Sequence, residues 1–155
     1  MNDQTRKGML AGMVLLLAAS GWLVSQQALQ TQSHDTADGV EVDLLSSDVQ
    51  NNIVTLKLKF RNTGTAEANI IVRYKDCYIM DETNQKKYYA LKDSDGLYIA
   101  GPMYDQADGG RFWYDIAGGK SKGMWIKFPE PADHPSAITV AIPGVQPFEN
   151  VKAGR

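Results

Sequence analysis

Hydrophobic and polar residues alternate along residues 53–61, where Val54, Leu56, Leu58 and Phe60 share one side and Thr55, Lys57, Lys59 and Arg61 the other. Successive side chains leave a strand in opposite directions, so this alternation predicts a strand with one buried and one wetted face. Asn62-Thr63-Gly64 then supplies a turn, with Gly64 free to adopt a positive φ. Residues 70–80 read as the next strand, with Ile70, Val72 and Tyr74 on one face and an interruption at Lys75-Asp76. Further short strands are expected over residues 87–91, 97–100, 111–116, 123–128 and 138–142, and residues 40–44 open the series. Asp95-Gly96, Asp108-Gly109-Gly110, Gly118-Gly119 and the proline-rich residues 129–135 punctuate them with turn chemistry. No 3.6-residue period is sustained after Val40. About seven or eight short strands at this spacing predict an all-β domain over residues 40–155, an immunoglobulin-like antiparallel β-sandwich that the length favours over a closed barrel.

The start of the chain has a different pattern. Arg6 and Lys7 precede residues 8–24, a continuous apolar run whose one clearly polar side chain is Ser20. About 17 residues is longer than a usual signal-peptide core and reaches the lower limit for spanning a bilayer. The length favours an uncleaved single N-terminal hydrophobic helix acting as an anchor; the alternative is a signal peptide cut after Ser20, with Ala18 at the other recognition position. The basic pair before the run, with no basic residue after it until Lys57, places the N-terminus in the cytoplasm and the bulk of the chain across the membrane. Gly8 and Gly12 are spaced for close helix packing, a spacing that also arises by chance. Residues 25–39 are polar and read as a tether, with a short helical extension over residues 26–30.

Charge and cysteine content narrow the functions. The 16 basic and 18 acidic residues fall to 14 and 17 without Arg6, Lys7 and Asp3, a net charge of −3 for the remainder. That balance argues against nucleic acid or anionic lipid as the main partner. The single cysteine, Cys77, cannot close an intramolecular disulfide and lies in a β-rich run, so it reads as a buried small hydrophobe.

Three segments carry a resemblance. Residues 53–64 (IVTLKLKFRNTG), residues 78–82 (YIMDE) and residues 118–123 (GGKSKG) leading into residues 124–129 (MWIKFP) are similar to telokin-like immunoglobulin-like domains of exported bacterial proteins. In that family a first long strand ends in an Asn-x-Gly turn, and a Gly-x-Ser turn introduces a late strand ending in Phe-x-Pro or a near variant. The resemblance covers residues 40–142, and residues 138–151 resemble the end of small exported bacterial domains. It implies a bacterial envelope domain used for binding or assembly, and it carries no catalytic motif.

Candidate chemistry is sparse. Nucleophilic catalysis needs a histidine near a serine or cysteine, and the two histidines are His34 in the tether and His134 in a turn. No clustered His or Cys ligands suggest a transition metal, and no cofactor is expected. Asp93, Asp95, Asp105 and Asp108 stand in glycine-bearing loops and form weak calcium candidates; Asp before Gly is also the ordinary way to build a tight turn. Aromatic residues are the stronger signal. Tyr88, Tyr98, Tyr104, Phe112 and Trp113 fall in the middle third, and adjacent rings on a strand cannot both face one core. They form the candidate binding surface, because Tyr and Trp dominate interface hot spots; the competing reading buries one ring and leaves the other partly covered by residues 103–110. The expectation is a non-enzymatic domain on the outer face of a bacterial inner membrane, meeting a membrane-proximal envelope protein and no nucleic acid. The alternative is a cleaved, secreted or periplasmic β-sandwich that binds a small ligand or glycan through the same aromatics.

Overall fold

A computed structural model describes residues 27–154. The expected helix over residues 8–24, with Gly8 and Gly12, lies outside them, and among the described residues no helix is long and apolar enough to cross a membrane. The described chain is all-β. Its strands are β1 (Gln30–Ser33), β2 (Val40–Gln50), β3 (Ile53–Asn62), β4 (Ala68–Arg73), β5 (Tyr78–Asp81), β6 (Lys86–Tyr89), β7 (Ala100–Gly101), β8 (Arg111–Ile116), β9 (Ser121–Pro129), β10 (Ile138–Ala141) and β11 (Phe148–Val151). They form antiparallel sheets in the orders β1-β2-β3-β9-β7, β11-β10-β5-β6 and β4-β8.

The alternating run becomes β3, the centre of the five-stranded sheet. Val54, Leu56, Leu58 and Phe60 are all buried, and β3 pairs with β2 on one side and β9 on the other. The interruption expected after Tyr74 is a single 3-10 turn, Tyr74–Asp76, which separates β4 from β5. Val42, Leu44, Leu58, Phe60 and Phe128 from the five-stranded sheet join Ile70, Val72 and Phe112 from β4-β8 and Ile79, Val140 and Phe148 from the third sheet in one core. Phe60 stacks on Phe112 with ring centroids 5.1 Å apart, so the inner faces of β3 and β8 meet directly. Each such side chain contributes about 1.5–3 kcal/mol by leaving water. Cys77 is buried, as the sequence predicts.

Four expectations are corrected. Among the described residues eleven strands replace the seven or eight expected, chiefly because β1 (QTQS) and β11 (FENV) show no apolar alternation. Second, β2 runs far beyond residue 44: a bulge between Leu44 and Ser46 inserts one residue and resets the alternation, so Ser47 faces inward and the periodic signal fails there. Third, within the expected tether of residues 25–39, the described residues from 30 to 33 are a strand rather than free chain. β1 pairs with β2 from Gln30–Leu44 to Ser33–Glu41, and residues 27–29 contain no helical turn. The Gln30 and Gln32 side chains donate to the carbonyls of Glu149 (2.6 Å) and Pro147 (3.0 Å), tying the strand to the C-terminal segment. Fourth, Gly64 does not use a positive φ; that conformation belongs to Gly39 across the turn, at φ 75°. A Cβ on Gly39 would stand 3.2 Å from the Gly64 nitrogen, so the two backbones need their close approach.

Candidate functional site

Strand alternation divides the aromatic run of β8. Phe112 points to the core and is fully buried, whereas Trp113 stands on the opposite face, paired across the sheet with Ile71 of β4. Phe112 therefore leaves the candidate surface, because a ring stacked on Phe60 has no outward face to offer a partner. Tyr104 reaches the edge of β8, held by its own N–H donating to the Arg111 carbonyl at 2.8 Å. Its ring lies 5.3 Å from Trp113 and 6.2 Å from Tyr114, and it is 57% exposed.

The polar partners of this cluster are fixed. The Trp113 indole N–H donates to Asn69 Oδ1 at 3.2 Å, and Asn69 Nδ2 donates to Asp115 Oδ1 at 2.6 Å. Arg111 donates from Nε and Nη2 to the Asp105 carboxylate at 2.6–2.9 Å, and its guanidinium carbon lies 4.6 Å from the Trp113 ring centroid. Hydrogen bonds from Arg111 hold the Asp105 carboxyl below the usual carboxylate range. On the other side Lys122 Nζ sits 4.1 Å from the Tyr114 ring centroid. Asn69, Tyr104, Trp113, Tyr114 and Asp115 line an open recess of about 380 Å³. It presents aromatic faces beside an amide and a carboxylate, which suits recognition of a partly apolar, partly hydrogen-bonding group.

Tyr104 and Trp113 are thus the two expected residues that come together. Tyr98 packs against the core beneath Lys92, whose Nζ is 4.7 Å from its ring centroid. Tyr88 is half-buried on β6, and its neighbour Tyr89 is the exposed ring of that doublet, 5.9 Å from Tyr78. Asn69 and Asp115 are not marked by the sequence, and Tyr114, the third ring of the run Phe112-Trp113-Tyr114, lies outside the expected surface. Their signal was cross-strand register, Asn69 opposite Asp115 and Ile70 opposite Tyr114, which the sequence does not display without knowing that β4 pairs with β8.

Three of the four loop carboxylates, those of Asp93, Asp105 and Asp108, are engaged by the protein itself. Asp93 Oδ1 accepts the backbone N–H groups of Asp95 and Leu97, each at 2.9 Å, and so builds its turn. Asp105 is bound by Arg111, and Asp108 pairs with Lys75 at 3.3 Å. Among the described residues no three His, Cys, Asp or Glu gather in a group that could hold a metal ion. His134 Nδ1 lies 2.9 Å from Glu130, and His34 Nδ1 accepts backbone N–H groups of its own turn, so neither histidine adjoins the aromatic recess.

The comparisons assign no family. No family model matches the chain, and no curated protein matches it. Among solved structures, a functionally unknown protein from Listeria monocytogenes EGD-e is similar over 80% of this chain and 87% of that one, at 10% identity and a TM-score of 0.39. Sequence divergence and spatial likeness at that level leave function to the site alone.

Proposed function

We propose that this chain is a non-enzymatic interaction domain, anchored in a bacterial inner membrane by residues 8–24, facing the periplasm, and serving as an accessory part of an envelope assembly. Its fold is read as an immunoglobulin-like sandwich of the kind seen in telokin-like exported domains. The facing of β3 and β8 through Phe60 and Phe112 supports two opposed layers. The observation that carries the docking role is the outward pair of Trp113 and Tyr104, tilted against each other with centroids 5.3 Å apart and rimmed by Asn69 and Asp115. Tyr104 is exposed and Trp113 half-buried, and an aromatic pair already held in place loses little side-chain entropy on binding, which is why such rings anchor interfaces. A photo-crosslinking residue at position 104 in cells is expected to capture one discrete membrane-proximal protein. Failure to capture a specific protein would overturn this role.

A second reading is supported by the mixed lining of the same recess. Ring faces beside an amide and a carboxylate also fit a glycan or a small polar ligand, held by a domain released after cleavage at Ser20. Intact-mass measurement separates the two: a mass that begins after residue 20 removes the anchor, and a mass that includes residues 8–20 removes the released form.

A further inference from the structure

The outer face of the five-stranded sheet carries a second surface, away from Trp113. Lys57 of β3 is in register with Ser46 of β2 and with Trp125 of β9, and Trp125 with Gly101 of β7. The β2 bulge leaves Leu45 half-buried beside this row. Trp125 is 40% exposed and lies across Gly101, where a Cβ would come within 2.8 Å of the indole nitrogen. Gly123 leaves the space next to Trp125 unfilled, and Leu45, Lys57, Leu58, Gly123, Met124 and Trp125 line an apolar recess of about 360 Å³.

Outward basic side chains on β3 and β9 slightly outnumber the outward carboxylates of β2, against the net negative charge of the chain as a whole. Lys57, Lys59 and Lys127 occupy outward positions on β3 and β9. Arg61, the other outward cation of β3, is neutralised by Asp43 and Glu41. Asp48 is a further acidic group, to which Ser46 donates at 2.8 Å, and Lys59 stands in register with Asp43, so Lys57 and Lys127 are the lysines set furthest from carboxylates along β3 and β9. An interfacial tryptophan with an apolar recess and surrounding lysines matches the headgroup zone of an anionic bilayer, where indole sits and lysine ammonium groups meet phosphates.

The described chain enters the five-stranded sheet at its β1 edge. Leu29 is 56% exposed and donates its N–H to the Leu44 carbonyl at 2.7 Å, so the first described residues join the sheet beside Leu45. If the apolar run ends at Val24, residues 25–28 can extend at most about 14 Å. β1 and β9 are separated by three strand spacings, also about 14 Å. On the anchored reading the β1 edge lies close to the bilayer, and Trp125 is about that same distance from the edge.

We propose that the Leu29, Leu45 and Trp125 face rests on an anionic lipid surface, with Lys57 and Lys127 meeting the headgroups. The inference rests on the anchored reading above. It also orients that reading: Phe60 and Phe112 face each other across the core, so Trp113 and Tyr104 point away from the lipid toward a partner.

The test uses the full chain with Trp22→Phe and Trp113→Phe, which leaves Trp125 as the single tryptophan. It is reconstituted into vesicles of phosphatidylcholine, with or without about a third phosphatidylglycerol, containing lipids brominated near the headgroup. Roughly twofold quenching of Trp125 is expected in the anionic vesicles, and Lys57→Glu with Lys127→Glu should remove most of it. Unquenched Trp125 in a chain that resists alkaline extraction would overturn the lipid-facing surface while leaving the anchor intact. Extraction at alkaline pH with Trp125 still quenched in the anionic vesicles would overturn the anchor and support the surface. Extraction with no quenching would overturn both.

Discussion

At the residue scale, two buried polar side chains near β2 and β3 have opposite energetic meanings. Asn62 is 2% exposed and fully used: Nδ2 donates to the carbonyls of Ala66 (2.7 Å) and Ile116 (2.8 Å), and Oδ1 accepts the Gly64 N–H at 3.0 Å. It stitches the turn after β3 to the end of β8. Asn62→Ala would strand two carbonyls and an amide, and is expected to cost about 2–3 kcal/mol in denaturant unfolding. Ser47 is buried too, but its hydroxyl has no hydrogen-bond partner among the described residues. Its inward position is set by the β2 bulge rather than by any bond it makes. Ser47→Ala is therefore expected to be neutral or to stabilise by up to about 1 kcal/mol in the same measurement. Both roles escape a sequence reading. Asn62 is legible as a turn residue, yet its span to Ile116 depends on a contact 54 positions away.

At the element scale, the N-terminal strand is the part whose character changes most between sequence and structure. β1 has no apolar stripe and joins the sheet through backbone pairing, the Gln30 and Gln32 amides, and the turn around His34. His34 Nδ1 accepts the N–H groups of Thr36 (3.3 Å) and Ala37 (3.1 Å), and a Cβ on Gly144 would stand 3.1 Å from the ring. Burial lowers the His34 pKa, so the folded form favours neutral imidazole. Its contribution is present above the ordinary histidine value of about 6.5 and is lost as pH falls through the lower folded value. Hydrogen exchange of the β1 amides is expected to speed up on acidification from about pH 7 to about pH 5, and to lose most of that dependence in His34→Gln. Gly144→Ala should loosen the same element at all pH values, because Gly144 also holds φ 76°.

At the scale of the whole molecule, one core ties three sheets together and sets how the domain fails. Asp43, held below the usual carboxylate range chiefly by its hydrogen bonds from Arg61, links β2 to β3, while Asp105 and Arg111 link the aromatic loop to β8. Depressed carboxyl values mean that these contributions exist above the ordinary value of about 3.9 and fade as pH drops through the folded ones. The thermal midpoint is accordingly expected to fall progressively below about pH 4, with Asp43→Asn flattening the decline. Cys77 reports the same cooperativity differently. Burial pushes its thiol well above the ordinary range, so a maleimide should label it at the rate of global unfolding rather than of surface exposure. Rapid labelling of the native protein would contradict the burial.

The sequence by itself determined whatever rests on local alternation and composition. β3, the break after Tyr74, β8 and β10 follow from side chains that must face either core or water, and Cys77 follows from the apolar run around it. Tertiary structure alone decided what depends on pairing between distant segments. It took β1 from tether to sheet, sent Phe112 inward and Trp113 outward, and joined Asn69 to Asp115. It also exposed Trp125 beside Gly123 and Lys57. Backbone hydrogen bonds are chemically identical at every residue, so a polar strand carries no mark of its partner. Only the closing of the core selects which of the possible registers is made.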